Sequence, residues 1–327
     1  MHRSGFVSGD VLRSGFQGRT VLLSGFEGVL GRSFLARAAR YRPGRLLIAH
    51  PDERALVGLL QEKTSSPEPL VLPYRDPVAL TYALRALRPD IVLHSVCGDH
   101  DDVLTEDPLE LFERVVLTGR NLRCAAERCS CRVLGIMYSL GQQTTSTSVT
   151  AARSLLSHFA RSGKAGAGPR RPHQLSISVG KGWTSALLEG EVTEHLPSGG
   201  ESRLSRLAGL VLDELAQPET ATAHYHVDLA DLHNACGSLV ALGTLPLEDT
   251  EEAQDVCALV EHLAGLVRQG DGKALIAQLE QFVTAGSSAD SSARAEGLHD
   301  HSAHFRRNEP GLLEASLVAP KARFSLA

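Results

Sequence analysis

The chain has no apolar run of the length that crosses a bilayer, about 20 residues as a helix, and its N-terminus lacks the continuous apolar segment of a secretory signal. Both absences lead to the expectation of a cytoplasmic protein with no membrane partner. A basic bias is missing too. The 33 Lys and Arg against 38 Asp and Glu give a net charge of −5, so nucleic-acid binding through phosphate contacts has no compositional support. Cysteine pairing is also lacking: Cys97, Cys124, Cys129, Cys131, Cys236 and Cys257 are scattered and mostly lie in apolar surroundings, which fits reduced thiols. Cys129 and Cys131, with Cys124 nearby, offer part of a metal set. No second cysteine pair follows, and ordinary buried thiols are the simpler reading. Internal repeats are absent as well, because Arg3-Ser-Gly-Phe6 and Arg13-Ser-Gly-Phe16 echo Leu23-Ser-Gly-Phe26 over too short a span to form a structural unit.

What is present is enough chain, 327 residues, for one large α/β domain or a domain with a smaller lobe. The whole is organised around Thr20-Val-Leu-Leu-Ser-Gly-Phe-Glu-Gly-Val-Leu-Gly-Arg32, where an apolar run breaks into Gly25, Gly28 and Gly31 and then into a helical pattern. This spacing suits a strand, turn and helix that bind a dinucleotide. One glycine permits the turn, one lets the backbone approach a pyrophosphate, and one lets the helix pack on the strand. The helix start then faces the anion with unpaired N–H groups.

From Thr20 onward the pattern alternates. It predicts strands over Thr20–Ser24, Arg45–Ala49, Leu70–Leu72, Ile91–Ser95 and Arg132–Tyr138, separated by helices over about Val29–Tyr41, Arg54–Glu62, Pro77–Leu87 and Pro108–Arg128. Such an order implies right-handed crossovers and a doubly wound parallel sheet, the Rossmann-type α/β class. A polar loop over 139–148, a helix over about Thr150–Arg161 and a strand over Gln174–Val179 follow. Beyond it the pattern gives a helix over Ser202–Leu215, a strand over His224–Asp228, and a closing helix pair over Glu251–Gln269 and Gly272–Thr284. The expected organisation is a loosely ordered leader over 1–18, a nucleotide-binding domain over 19–179, a smaller lobe with the helix pair over 180–285, and a partly mobile tail over 286–327.

With these segments in place, the chain resembles the nucleoside-diphosphate-sugar 4,6-dehydratases and epimerases of polysaccharide biosynthesis, in the extended short-chain dehydrogenase/reductase superfamily. The residues that carry the resemblance are Val21–Gly31, Arg88-Pro-Asp-Ile-Val-Leu-His94, His100 followed by Glu106-Asp-Pro-Leu109, Leu117-Thr-Gly-Arg-Asn-Leu122, and the closing pair with its Gly270-Asp-Gly turn. The resemblance implies an NAD or NADP cofactor held by Gly25, Phe26, Gly28, Val29, Leu30, Gly31, His50 and Ser95, and a nucleotide-sugar or other small-molecule ligand. It is compatible with a homo-oligomer.

The departures are equally specific. His50 stands where the family usually has an acidic residue for the adenosine ribose, with Asp52 and Glu53 slightly late. Leu72-Pro73 replaces a Gly-Asp at the adenine edge, and Asp99 replaces the lysine before His100. The Tyr-x-x-x-Lys or Met-x-x-x-Lys pair falls at Ser148 and Ala152, and the Ser-Thr-Asp-Lys after the fifth strand falls at Met137-Tyr-Ser-Leu140. Hydride withdrawal from a carbinol needs a base on the hydroxyl, and the lysine both lowers that base's pKa and holds the nicotinamide ribose. The pattern therefore predicts either a non-standard reaction or a non-catalytic scaffold that binds a nucleotide or an active enzyme.

Other groups have two readings each. Asp99 and His100, at the ligand-facing end of the fourth strand, form either a replacement acid–base pair or part of a solvated acidic loop. Lys181 follows the sixth strand where the family has an asparagine near the sugar nucleotide, so it pairs a phosphate or is an ordinary surface lysine. His224, His226 and Asp228 share one face of a strand, since side chains alternate. They are weak metal candidates against a polar edge-strand face, with His233 the nearest fourth ligand.

Overall fold

Short apolar strands alternating with amphipathic helices assemble into one eight-stranded sheet. The computed structural model describes residues 15–26, 28–60, 67–96, 107–129, 131–139, 147–162, 172–180, 203–217, 223–227, 232, 244–245 and 250–282. Strand β1 (Thr20–Ser24) leads into α1 (Gly28–Arg40), β2 (Arg45–His50), α2 (Glu53–Leu60), β3 (Glu68–Val71), α3 (Pro77–Leu87) and β4 (Ile91–Val96). Next, α4 (Pro108–Phe112) passes through a π-helical turn, Glu113–Leu117, into α5 (Thr118–Arg128). Then come β5 (Val133–Ser139), α6 (Thr147–Arg161), β6 (His173–Val179), α7 (Arg203–Ala216), β7 (Ala223–Val227), β8 (Thr244–Leu245), α8 (Thr250–Gln269) and α9 (272–282).

The strand order is β3-β2-β1-β4-β5-β6-β7-β8. Every neighbouring pair is parallel except β7 with β8. This is the expected Rossmann-type fold. Because side chains alternate across a strand, β1 sends Val21 and Leu23 to one layer and Leu22 to the other. Helices α1, α2 and α7 cover the first layer, while α3 to α6 and the pair α8 and α9 cover the second.

Local sequence explains the helix ends. Asp76 and Asp107 each precede a proline, and each carboxylate accepts from two backbone N–H groups of the turn it opens, Val78 and Ala79 in α3, Leu109 and Glu110 in α4. An aspartate N-cap followed by proline at the first helical position gives that arrangement. Gly270, at φ +71°, closes α8, and Asp271 opens α9 by accepting from the Ala274 N–H at 3.0 Å.

Some boundaries differ from the pattern. The helix expected over Pro108–Arg128 contains the π turn, where the Thr118 hydroxyl donates to the Glu113 carbonyl at 3.0 Å. Helix α6 starts at Thr147, inside the stretch read as a polar loop, because serine and threonine serve helix starts as well as loops. Strand β3 begins two residues earlier than expected, and β8 was not anticipated. Of the leader expected over 1–18, residues 15–18 are described. Phe16 there is fully buried and stacks on Tyr41 with ring centroids 5.0 Å apart; Tyr41 Oη in turn donates to Asp213 of α7. The boundary drawn at 179/180 falls between β6 and β7, which pair in the same sheet. The tail over 286–327 lies outside the described residues. Among the described residues no helix is long and apolar enough to cross a membrane.

Candidate functional site

The sheet order reverses between β1 and β4, which opens a crevice at the carboxyl ends of these strands. Gly25 stands at its base. Its N–H donates to the Ala49 carbonyl of β2 at 3.0 Å, its φ is +72°, and a Cβ there would lie 2.3 Å from the Ser95 carbonyl oxygen of β4. Both the left-handed backbone and the close approach of β4 require glycine. At Gly31 a Cβ would lie 2.6 Å from Leu59 Cδ2, so the missing side chain lets α1 pack against α2. Gly28 begins α1, whose first N–H groups point towards the crevice end of the sheet.

The other residues assigned to the cofactor divide by role. Phe26 packs on Phe34 at 4.6 Å between centroids, and Leu30 is buried beside it, so their side chains serve the core and only their backbone remains for a ligand. Val29 is half-buried against the same cluster. His50 ends β2 in a buried position, where the Asp52 N–H donates to its Nδ1 at 3.0 Å. Asp52, the late carboxylate, accepts from the Arg54 N–H at 2.8 Å and so is engaged at the start of α2. Ser95 is buried, with its carbonyl against Gly25. Ala152, on α6, is buried in the core. Asp99, His100, Lys181, Asp228 and His233 lie outside the described residues.

His224 and His226 occupy alternate positions on β7, paired in register with Ser176 and Ser178 of β6. The His224 Nε2–H donates to the Arg161 carbonyl at 3.0 Å, and burial together with the Arg161 charge lowers its pKa to about 4. His226 Nδ1 lies 2.8 Å from Ser178 Oγ. Among the described residues no three His, Cys, Asp or Glu side chains gather as a metal site. Cys124, Cys129, Cys131 and Cys257 are free thiols, and burial pushes Cys131 up to about 12.

The structure adds a group that the sequence did not single out. Ser24, Tyr74 and His94 form a buried chain beneath Gly25, with Ser24 Oγ 2.5 Å from Tyr74 Oη and 3.1 Å from His94 Nδ1. The Asn121 side-chain amide donates to the Tyr74 carbonyl at 2.8 Å and fixes that residue from α5. Burial lowers the His94 pKa to about 4, a hydrogen bond to the Ser24 backbone acts against this, and nearby His50 adds to it. Burial raises the Tyr74 pKa. At neutral pH the three groups are therefore uncharged. The only sequence signal was His94 itself, the last residue of a motif quoted for the family resemblance.

The chain matches no family model and no curated protein sequence. Among solved structures it is similar to Pen from Bacillus thuringiensis at 16% identity, over 67% of this chain and 74% of that one, with a TM-score of 0.50. That likeness is one of fold. Two further structures align more loosely. One is an oxidoreductase of the short-chain dehydrogenase/reductase family from Burkholderia thailandensis (16% identity, 67% and 94% of the two chains, TM-score 0.48). The other is DesIV, the dTDP-glucose 4,6-dehydratase of Streptomyces venezuelae, solved with NAD bound (14%, 74% and 81%, 0.48).

Proposed function

We propose that this protein is a divergent relative of the sugar-nucleotide dehydratases and epimerases that binds a dinucleotide or nucleotide at the Gly25 turn and runs a non-standard reaction. The observation that carries the reading is the position of Gly25. It combines φ +72° with packing directly on the Ser95 carbonyl of β4, a turn that only glycine allows, at the point where the strand order reverses. Pyrophosphate suits the end of such a turn, with the α1 start supplying N–H donors. Gly25 and Gly28 would hold the pyrophosphate, and Ser95 would border the ring end. When bound, a nicotinamide dinucleotide supplies hydride acceptance.

The adenosine end differs from the family pattern. The buried, hydrogen-bonded His50 stands in place of a carboxylate, and Asp52 is engaged by α2. Among the described residues no acid ends β2 to accept from a ribose 2′-hydroxyl or to repel a 2′-phosphate. Titration calorimetry is expected to show NADP binding no weaker than NAD, and both weaker than in active relatives. Tight, NAD-selective binding would overturn this assignment.

Ala152 stands where the lysine should be, and an alkyl side chain buried in the core neither accepts a proton nor anchors a ribose. We infer that the acid–base work falls instead to Asp99 and His100. Incubation with UDP- and dTDP-sugars and either dinucleotide is expected to give no 4,6-dehydration or 5-epimerisation; conventional dehydratase turnover would refute this. The same alanine also favours a second reading, a scaffold without turnover. Failure to bind either dinucleotide would select it.

A further inference from the structure

The crevice opens at the carboxyl ends of the strands; the amino ends, on the opposite side of the sheet, carry positive charge. Backbone hydrogen bonds set the order of residues there. The Arg45 N–H donates to the Arg19 carbonyl at 3.1 Å, and the Asp90 N–H donates to Thr20, Arg132 to Asp90 and His173 to Arg132, each at 2.9 Å. Arg45, Arg19, Asp90, Arg132 and His173 therefore form one row across β2, β1, β4, β5 and β6, about 19 Å long at ~4.8 Å per strand. The acids beside it are engaged: Asp90 Oδ2 accepts from the Thr20 N–H at 2.9 Å, and Glu68 pairs with Arg45. Exposed Arg42 and Arg88 follow α1 and α3, where a helix dipole favours a cation. That reason does not extend to Arg19 and Arg132, which precede strands. Among the described residues neither makes an ion pair. Burial and the Arg132 charge lower the Arg19 pKa, and Asp90 acts against both. Two neighbouring guanidinium groups thus lack a carboxylate on a protein of net charge −5.

The same end of the molecule carries the opposite charge. Glu248, Asp249, Glu251, Glu252 and Asp255 fall within a stretch free of Lys and Arg that leads into α8. Helix α6 returns from the carboxyl end of β5 to the amino end of β6, and the Arg161 carbonyl at its close accepts from His224, the second residue of β7. Cys257 Sγ lies 3.7 Å from Ser162 Oγ, directly after that close. Further along α8, Glu261 pairs with Arg120 near the start of α5. Helix α8 therefore sets out from the amino end of the sheet and runs towards the crevice end. Asp255, in its first turns, is exposed and makes no ion pair among the described residues.

We propose that this face pairs two copies of the chain about a two-fold axis, with the arginine row of each against the acidic start of α8 of the other. Within one chain the end of α6 stands between the row and α8. A face that carries both a basic row and an acidic run is self-complementary, and a two-fold contact satisfies each of them twice. The pairing is independent of what the crevice binds.

Analytical ultracentrifugation of the full chain tests it. The unmodified protein should sediment as a dimer at about 0.1 M salt and as a monomer at about 1 M, where the screening length falls to roughly 3 Å. Arg19→Glu with Arg132→Glu reverses the row; Glu252→Lys with Asp255→Lys reverses the run. Each reversed protein alone should self-associate at least about tenfold more weakly. Mixed in equal amounts, the two should form a heterodimer, because each row then meets a run of opposite charge. Recovery in the mixture also shows that both variants fold. If a double variant does not fold, Arg132→Glu and Asp255→Lys repeat the comparison at the two exposed positions. A monomer at low salt, a dimer that persists at high salt, or growth beyond the dimer overturns the proposal. So does a reversed variant that still pairs with itself, or a mixture that stays monomeric.

Discussion

Between pH 6.5 and pH 4 the protein is expected to lose roughly 3 kcal/mol of stability for each of His94 and His224, on the basis of about 1.4 kcal/mol per pKa unit. Both imidazoles are buried, and both have pKa values lowered to about 4. In the unfolded chain they titrate near 6.5. Over that interval the unfolded state binds more protons than the folded one, so the stability is fully present above pH 6.5 and is lost progressively as pH falls from there to the folded values near 4. At His94 the surrounding groups, Ser24 and Tyr74, are neutral hydroxyls. His224 already uses Nε2 on the Arg161 carbonyl, beside the Arg161 charge. Glu214 works in the opposite direction. Burial raises its pKa while the Tyr225 hydroxyl, donating at 2.8 Å, acts against the rise. A carboxyl with a raised folded pKa favours the folded state as pH falls towards its unfolded value, and so offsets part of the loss just above that value. Urea denaturation in half-unit pH steps checks the balance. A stability curve that stays flat from pH 6.5 to 4 would mean that the two histidines accept protons without unfolding.

Arg123→Ala is expected to cost about 3–5 kcal/mol, the range for removing one partner from a buried charged network. The Arg123 side chain is 3% exposed. Its guanidinium donates to the Phe159 carbonyl at 2.9 Å, to the Ser162 carbonyl at 3.1 Å and to Ser162 Oγ at 3.3 Å, and it pairs with Glu127 at 3.3 Å. It also lies over the Phe159 ring, 4.5 Å from the centroid. These contacts close the carboxyl end of α6 with a positive charge, where the helix dipole favours one. Alanine leaves buried carbonyls with fewer donors and opens a cavity. Chemical denaturation should show the full loss, with Arg123→Lys recovering only part of it because an ammonium does not reproduce the guanidinium fork. A change below about 1 kcal/mol, typical of a surface pair, would contradict the network.

The sheet was legible because its signals are local. The Asp76-Pro and Asp107-Pro pairs, the Gly270-Asp turn and the alternating apolar runs each act within a few residues, so their helices and strands were visible in sequence. The placement of the glycine turn between the first strand and its helix followed from the same alternation. The hydrogen-bonded chain beneath it did not. Ser24 meets a tyrosine 50 residues away and a histidine 70 residues away, and nothing in the intervening sequence encodes either pairing. His50 illustrates the same limit. Its failure to match the family acid was visible, but its role in accepting from the Asp52 backbone depends on how the chain bends after β2. The π turn was hidden for another reason: its residues, Glu113–Leu117, have ordinary helical composition, and the extra residue shows only in the backbone.

The contact between Tyr41 and Asp213 spans 172 residues of chain. On a ribosome adding about 5–20 residues per second, α7 emerges roughly 10 to 35 s after Tyr41 has been made. During that interval the layer of the sheet that carries Phe16, Phe34 and Leu23 has no α7 to cover it. The first half of the nascent chain therefore presents sticky surface for many seconds, long enough for a holdase chaperone to engage it before the fold can close.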